Sequence, residues 1–201
     1  MNPRKPIVLE LRLEEETHYA RLAHRDSVRD RAKLADGLRG DGWRAYRERE
    51  GAPFRFPPDW THHVLDASRS PAELFDQARD LLPEPSEGAL LALVLGDAGV
   101  GKSKLVRSLV AARPSWTPLL IDWFKDPLKR DSSVNWSQLR RLAYAQTYFA
   151  ASELLSWRRS VLLEGTFRVE MSDGGARWCS LIEDVASGDG IAVESLLDRV
   201  V

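Results

Sequence analysis

The eight residues from 96 to 103, Gly-Asp-Ala-Gly-Val-Gly-Lys-Ser, constrain the fold of this chain most. They match the pattern G-x-x-x-x-G-K-S/T at every fixed position, and they lie between an apolar run over 89–95 and a predicted helix over 102–112. Glycines let such a turn curl so that successive backbone N–H groups point inward, and the helix N-terminus adds its positive dipole end. The segment therefore predicts a phosphate-binding loop between a buried strand and a helix.

The order of segments after residue 85 predicts an α/β fold. Short apolar runs typical of buried strands alternate with segments typical of helices. The predicted strands cover residues 89–95, 118–122, 161–164 and 191–197, and the predicted helices cover 102–112, 136–158 and 176–186. Such alternation indicates a three-layer sandwich, in which helices cover both faces of a mainly parallel sheet and ligands bind at the carboxyl ends of the strands.

A proline-rich connector over residues 83–88 predicts a boundary between two units. Residues 1–85 are expected to form a mostly helical N-terminal extension, and residues 86–201 the domain that carries the phosphate-binding loop. The predicted elements of the extension are a strand over 7–13, a helix over 14–38 and a helix over 72–82 with Ser70 as its N-cap.

Composition narrows the class of protein. Lys and Arg number 29 and Asp and Glu 30, so a net charge of −1 excludes the strongly basic field of a generic nucleic-acid or membrane-surface binder. The single cysteine, Cys179, cannot form an internal disulfide, and the longest apolar run is too short to span a bilayer. We therefore expect a cytoplasmic protein with neither a membrane nor a nucleic-acid partner.

Residues of the loop are the candidate ligands for a nucleotide cofactor, ATP with Mg²⁺. The side chain of Lys102 is expected to reach the β- and γ-phosphates, and the hydroxyl of Ser103 to hold Mg²⁺. The predicted cofactor-binding residues are Gly96, Asp97, Ala98, Gly99, Val100, Gly101, Lys102, Ser103 and Lys104.

Two carboxylates end the next two predicted strands. Asp122 could accept the proton of an attacking hydroxyl or contact Mg²⁺, and the alternative is that it caps the following segment. Glu164 could hold the water shell of the metal, and the alternative is an ordinary turn after a buried strand. No second acidic residue follows Glu164 directly, which argues against the paired Asp-Glu of a dedicated ATP hydrolase. Lys102, Asp122 and Glu164 are thus the candidate catalytic residues, and Ser103 and Glu164 the candidate metal ligands.

The segments GDAGVGKS, LLIDWFKDP and VLLEGTFR together resemble the zeta-toxin group of P-loop kinases, which is similar in outline to chloramphenicol phosphotransferases. The resemblance covers about residues 86–201. It implies a nucleotide-kinase-like sheet and ATP-dependent phosphorylation of a UDP-amino-sugar hydroxyl, with Asp122 as the general base. It also implies that Asp122, Glu164, Thr166 and Arg168 contact the acceptor substrate.

Zeta-type kinases continue into a lid that supplies arginines to the transferring phosphate. This sequence is expected to lack a full C-terminal lid, so Arg177, Arg199 or a partner chain is the candidate source of such an arginine. Arg140 and Arg141 are expected instead on the solvent face of the long helix over 136–158.

Two other functions stay open. The loop sequence is also close to that of regulatory AAA-like and STAND ATPases, in which nucleotide binding switches an assembly, and helical segments before the loop suit that class. A non-catalytic nucleotide-binding module is the third possibility. Besides the nucleotide, the expected partners are a small-molecule acceptor and, for a toxin-like or switch role, a protein partner or antidote.

Overall fold

The computed structural model describes residues 5–18, 20–21, 56–85, 88–97, 99–128, 135–165 and 176–199. The strands are β1 (Ile7–Arg12), β2 (Thr61–Asp66), β3 (Leu91–Gly96), β4 (Trp116–Leu120) and β5 (Ser160–Glu164). The helices are α1 (Pro71–Leu81), α2 (Lys102–Ala112), α3 (Ile121–Leu128), α4 (Trp136–Ser156), α5 (Ala176–Ser187) and α6 (Val193–Arg199).

These five strands form one sheet in the order β2-β1-β3-β5-β4, and every pairing is parallel. β3 lies in the middle, where Ala92 pairs with Ile7 of β1 and Leu91 pairs with Val161 of β5. β3 and β5 are almost continuously apolar and buried, as expected for strands that helices cover on both faces. The predicted α/β class with a parallel sheet is confirmed.

Helices cover both faces of this sheet. α1 and α2 pack on one face through residues such as Leu74 and Leu109. α4, α5 and α6 pack on the other face, where Tyr148, Ile182 and Leu196 are buried. The chain crosses from β3 to β4 through α2 and returns from β4 to β5 through α4. The two connections run in opposite directions along the sheet. Because both crossovers are expected to be right-handed, their helices lie on opposite faces and form the two helical layers.

Helix starts follow the signals in the sequence. The Ser70 hydroxyl accepts a hydrogen bond from the Glu73 amide, the Glu73 carboxylate accepts one from the Ser70 amide, and Pro71 opens α1. Asn135 and Gln138 form the same reciprocal pair at the start of α4. The helices predicted over 72–82, 102–112, 136–158 and 176–186 and the strands predicted over 7–13, 89–95 and 161–164 are confirmed within two residues at each end.

The sheet crosses the boundary predicted at residues 83–88. β1 and β2 precede that connector, yet they pair with each other and β1 pairs with β3, so residues on both sides build one sheet. Two described segments of the predicted extension, β1 and β2, are thus strands of the same sheet as β3. The sequence pattern does not predict β2, since Leu65 is its single buried residue and no alternation results. Most of the helix predicted over 14–38 lies outside the described residues, and residues 15–18 and 20–21 are helical.

Two predicted strands differ from the structure. β4 begins and ends two residues earlier than the strand predicted over 118–122, so Asp122 lies in α3 rather than at a strand end. The strand predicted over 191–197 is wrong, because helix α6 begins at Val193 and Leu196 packs into the core. A short apolar segment is compatible with either structure, and tertiary packing decides between them.

Candidate functional site

The carboxyl ends of β3 and β5 lie side by side at one edge of the sheet. The chain that leaves β3 enters α2 on one face of the sheet, whereas the chain that leaves β5 leads to α5 on the other face. Neighbouring parallel strands whose connections diverge in this way leave an opening, and open α/β sheets bind ligands there. The 96–103 loop follows β3 at this edge, and Glu164 ends β5 beside it.

Glycines give the 96–103 loop its shape. Gly96, Gly99 and Gly101 have φ angles of 137°, 87° and 104°, in the left-handed region that other residues rarely adopt. A β-carbon on Gly96 would lie 2.5 Å from the carbonyl oxygen of Leu11, so the backbone of β3 packs directly on β1. Gly101 is the N-cap of α2, and within the described part of the loop no side chain caps this helix. The first amides of α2 thus stay available to an anion.

Lys102 is a buried lysine at the centre of the site. Its ammonium nitrogen donates a hydrogen bond to the backbone oxygen of Asp97 at 2.8 Å and lies 3.7 Å from Glu164 Oε1. The side chain is only 6% exposed. Burial lowers the pKa of Lys102, although the neighbouring carboxylates of Glu164, Asp97 and Asp122 act to raise it. The lysine therefore bridges the loop and β5, and burial disfavours its charged form more than the carboxylates favour it.

Glu164 is the last residue of β5 and faces the loop. Its Oε2 accepts a hydrogen bond from the Ser103 hydroxyl at 3.3 Å. Burial raises the pKa of Glu164, and the nearby charge of Lys102 only partly offsets this effect. Ser103 and Glu164 together offer oxygen atoms of the kind that Mg²⁺ prefers. The sequence predicts that Ser103 and Glu164 lie together, and their hydrogen bond agrees with this prediction.

Asp122 lies in the first turn of α3, directly after β4. Negative charge is favourable there because it meets the positive end of the helix dipole. Its Oδ1 lies 2.9 Å from the ammonium nitrogen of Lys125, and its side chain is 57% exposed. Its charge also acts on Lys102 and Glu164. The structure thus brings Asp122, Lys102 and Glu164 to the same end of the sheet.

Other predicted site residues have different outcomes. Ala98, Thr166 and Arg168 lie outside the described residues, as does the side chain of Arg177. Lys104 is exposed, and its backbone N–H donates to the Gly101 carbonyl. Arg199, a candidate phosphate ligand by sequence, instead makes an ion pair of 2.6 Å with Asp184 of α5.

Sequence reasoning misses two contacts, one at this site and one on α4. His18 is 1% exposed, and its Nδ1 lies 3.8 Å from Asp97 Oδ2. Only the pairing of β1 with β3, which the sequence does not reveal, brings His18 to the loop. Arg140 is half-buried and makes a side-chain hydrogen bond with Tyr144, so its expected solvent position is wrong, whereas Arg141 is exposed. The sequence does contain a signal for this contact, because residues four apart, such as Arg140 and Tyr144, lie on the same face of a helix.

Comparisons with known proteins add no family. No family model matches the chain, and neither a curated protein nor a solved structure matches it. Across the described ranges, no three His, Cys, Asp or Glu side chains are grouped as in a metal cluster, and no helix is long and apolar enough to cross a bilayer. The site geometry and the motif are therefore the basis for a functional conclusion.

Proposed function

We propose that this protein binds ATP with Mg²⁺ at the 96–103 loop and transfers the γ-phosphoryl group to a hydroxyl of a small molecule. The observation that carries the proposal is the meeting of Lys102, Ser103 and Glu164 between adjacent parallel strands. Their contacts join a glycine-rich loop, a helix N-terminus and a strand-end carboxylate. Phosphoryl transfer needs this combination of positioned cation, metal ligands and backbone donors.

The side chains present suit Mg²⁺ and nucleotide phosphates. Ser103 and Glu164 would hold the metal, directly or through its water shell, and the metal would neutralise charge on the β- and γ-phosphates. The ammonium group of Lys102 contacts the Asp97 carbonyl, a bond that a phosphate oxygen can replace. Because Lys102 is buried, its attraction to a phosphate is only weakly screened by water.

Asp122 is the group we assign to the acceptor hydroxyl. Its carboxylate accepts the proton of that hydroxyl while the acceptor oxygen bonds to the γ-phosphorus. The bond from the γ-phosphorus to the bridging oxygen breaks, and ADP leaves with that oxygen and its electron pair. The charge of Asp122 acts on both Lys102 and Glu164. This interaction supports the assignment, because it requires the Asp122 carboxylate to be near the groups proposed to bind phosphate.

The test uses γ-labelled ATP, Mg²⁺ and a pool of UDP-sugars, nucleosides and antibiotics. We expect label on a small molecule with the wild type, loss of transfer with retained ATP binding in Asp122→Asn, and little change in Asp126→Asn. Asp126 is a matched control, because it is an exposed aspartate one turn further along α3. Release of free phosphate alone, stimulated by a protein partner, would favour a regulatory ATPase instead. Transfer that survives in Asp122→Asn would show that another group is the base.

A further inference from the structure

His18 fixes the segment that follows β1 against the rest of the domain. Among the described residues of this segment, 14–18, 20 and 21, His18 is the one with a buried side chain, 1% exposed, whereas the three glutamates over 14–16 are exposed. The His18 amide donates a hydrogen bond to the Glu14 carbonyl at 2.9 Å, which closes a helical turn. A buried imidazole after a run of solvated acidic residues indicates a specific polar contact inside the domain.

That contact is with the 96–103 loop. β1 and β3 are parallel neighbours, so the segments that follow them begin side by side at the carboxyl edge of the sheet. His18 Nδ1 lies 3.8 Å from Asp97 Oδ2, the distance of an ion pair, and the Asp97 side chain is only 11% exposed. The backbone oxygen of the same Asp97 accepts the hydrogen bond from Lys102. Asp97 therefore joins His18 to the lysine that is proposed to bind phosphate.

The charge and position of Asp97 give His18 a function here. A carboxylate in a loop that receives phosphates repels them, and the repulsion is strong because little water screens buried charges. An imidazolium, or a neutral ring with its hydrogen on Nδ1, directs positive charge at the carboxylate that it faces. Gly96 and Gly99 on either side of Asp97 have φ angles that glycine adopts freely, so an anchor between them restricts the conformations of the loop. His18 thus offsets the charge of Asp97 and restrains the loop.

We propose that His18 is a positioning residue for nucleotide binding, which acts through Asp97 to hold the 96–103 loop in its phosphate-binding conformation. The inference rests on the proposed function and adds a regulatory connection to the same site. Because coupling between two parts of a protein is reciprocal, a bound nucleotide stabilises the helical turn at residues 14–18 as much as that turn stabilises the loop. The turn after β1 thus responds to whether the site is occupied.

Nucleotide affinity is the first measurement. Equilibrium titration of the full chain with a fluorescent ATP analogue and Mg²⁺ compares wild type with three variants at a temperature where all of them stay folded. His18→Leu removes the polar contact and should weaken binding about tenfold, as for the loss of an interaction with a buried charge. His18→Asn keeps an N–H donor close to the position of Nδ1 and should restore most of the affinity. His63→Leu, a change at a half-buried histidine in β2, should leave the affinity unchanged.

A double-mutant cycle separates positioning from packing. In an Asp97→Asn background the carboxylate that His18 offsets is gone, so His18→Leu should weaken nucleotide binding there by about twofold or less. Equal losses in the two backgrounds would show that His18 acts by packing alone and would overturn the inference. Wild-type affinity in His18→Leu, or the same loss in His18→Asn as in His18→Leu, would overturn it as well.

Hydrogen exchange tests the connection in the other direction. Saturation of wild type with Mg²⁺ and a non-hydrolysable ATP analogue should slow exchange of the His18 amide, which donates to the Glu14 carbonyl, and should slow it less in Asp97→Asn. If wild type binds the nucleotide and exchange of this amide does not change, the inference is overturned and the proposed function stays intact. Wild type that binds no nucleotide would overturn both.

Discussion

Two glutamates on the same sheet have pKa shifts of opposite sign. Glu164, at the end of β5, has a raised pKa because burial outweighs the attraction of Lys102. Glu10, on β1, belongs to an edge cluster that we define as Glu10, Arg12 and His62. Burial acts to raise the pKa of Glu10 as well, but hydrogen bonds and charges from Arg12 and His62 outweigh it, so its pKa is lowered.

The two pKa shifts differ in sign because the charged groups of the edge cluster are more exposed to water than those of the site. Arg12 in the edge cluster is 61% exposed, so it stays hydrated while its Nε bonds Glu10 at 2.9 Å. Lys102 and Glu164 are 6% and 7% exposed, and both lose hydration. The edge cluster thus holds charges in their preferred state, whereas the site holds charges that the fold disfavours. Under the proposed function, a nucleotide and its metal would offset this cost, and strained charges of this kind are common at functional sites.

The largest effect on stability is expected where the two regions touch. Gly96 of the site packs on Leu11, which lies between Glu10 and Arg12. Gly96→Ala combines a backbone clash with an unfavourable φ, so we expect the free energy of unfolding to fall by about 3 kcal/mol or more. Urea unfolding measures this. Gly190→Ala is the control, with φ of +81° and no atom within 4 Å of the added β-carbon, and a similar loss there would show that steric contact is unimportant.

Removing the buried lysine should mainly affect ligand binding. Lys102→Met deletes the ammonium group from the loop, and we expect the affinity for ATP with Mg²⁺ to fall about a hundredfold, as for loss of charge-assisted hydrogen bonds. Lys104→Met is matched in side chain and helix but alters an exposed residue, so it should retain affinity. Equilibrium binding of a fluorescent ATP analogue distinguishes them. Equal losses would contradict the assigned role of Lys102.

The two glutamates should give opposite pH dependences of folding. The folded-state pKa of Glu164 lies above its usual 4.5, so its contribution to stability falls as the pH rises from 4.5 through that pKa. The folded-state pKa of Glu10 lies below 4.5, so its contribution is present above pH 4.5 and is lost as the pH falls through that pKa.

Wild type should lose stability above pH 4.5 because of Glu164, and Glu164→Gln should remove that loss. Wild type should also lose stability below pH 4.5 because of Glu10, and Glu10→Gln should remove that loss. Urea midpoints of both variants and wild type across this pH range give the measurement. Profiles that change in the same direction in both variants would refute the comparison.

The smallest effect is expected at the edge cluster itself. Arg12→Gln removes a largely exposed partner, so the free energy of unfolding should fall by about 1 kcal/mol or less. Screening should reduce the difference from wild type further at about 1 M salt, where the Debye length is short. Denaturation at low and high salt measures it. A loss that salt does not reduce would indicate packing by the Arg12 stem instead of charge.

The sequence predicts the local parts of this fold well. The strand, loop and helix around residues 96–103 follow from glycine conformation, apolar runs and helix propensity, which act over a few residues. Ser70 and Glu73 likewise predict the start of α1, since a capping box is a local interaction. The neighbourhood of Lys102, Ser103 and Glu164 is predictable because the motif implies a strand-end carboxylate beside the loop.

What the sequence does not predict depends on the order of strands. The position of β1 beside β3 makes His18 a neighbour of Asp97, and the packing of α5 on α4 brings the indole of Trp178 to the Tyr148 hydroxyl. Neither follows from residue spacing, because contacts distant in sequence decide them. The strand predicted over 191–197 fails for the same reason, since a helix there buries Leu196 equally well.

The position of β3 between β1 and β5 has a consequence for how the protein is made. β1 and β2 precede β3 on the ribosome, so the edge of β3 that faces β1 can pair as soon as it emerges. Its other edge waits for Leu91 to meet Val161, after α2, β4, α3 and α4 have been synthesised. Non-local parallel pairing is slow, and an unpaired apolar strand is prone to aggregate. Lys102 is thus made long before Glu164, and the nascent site is the last part of the sheet to close.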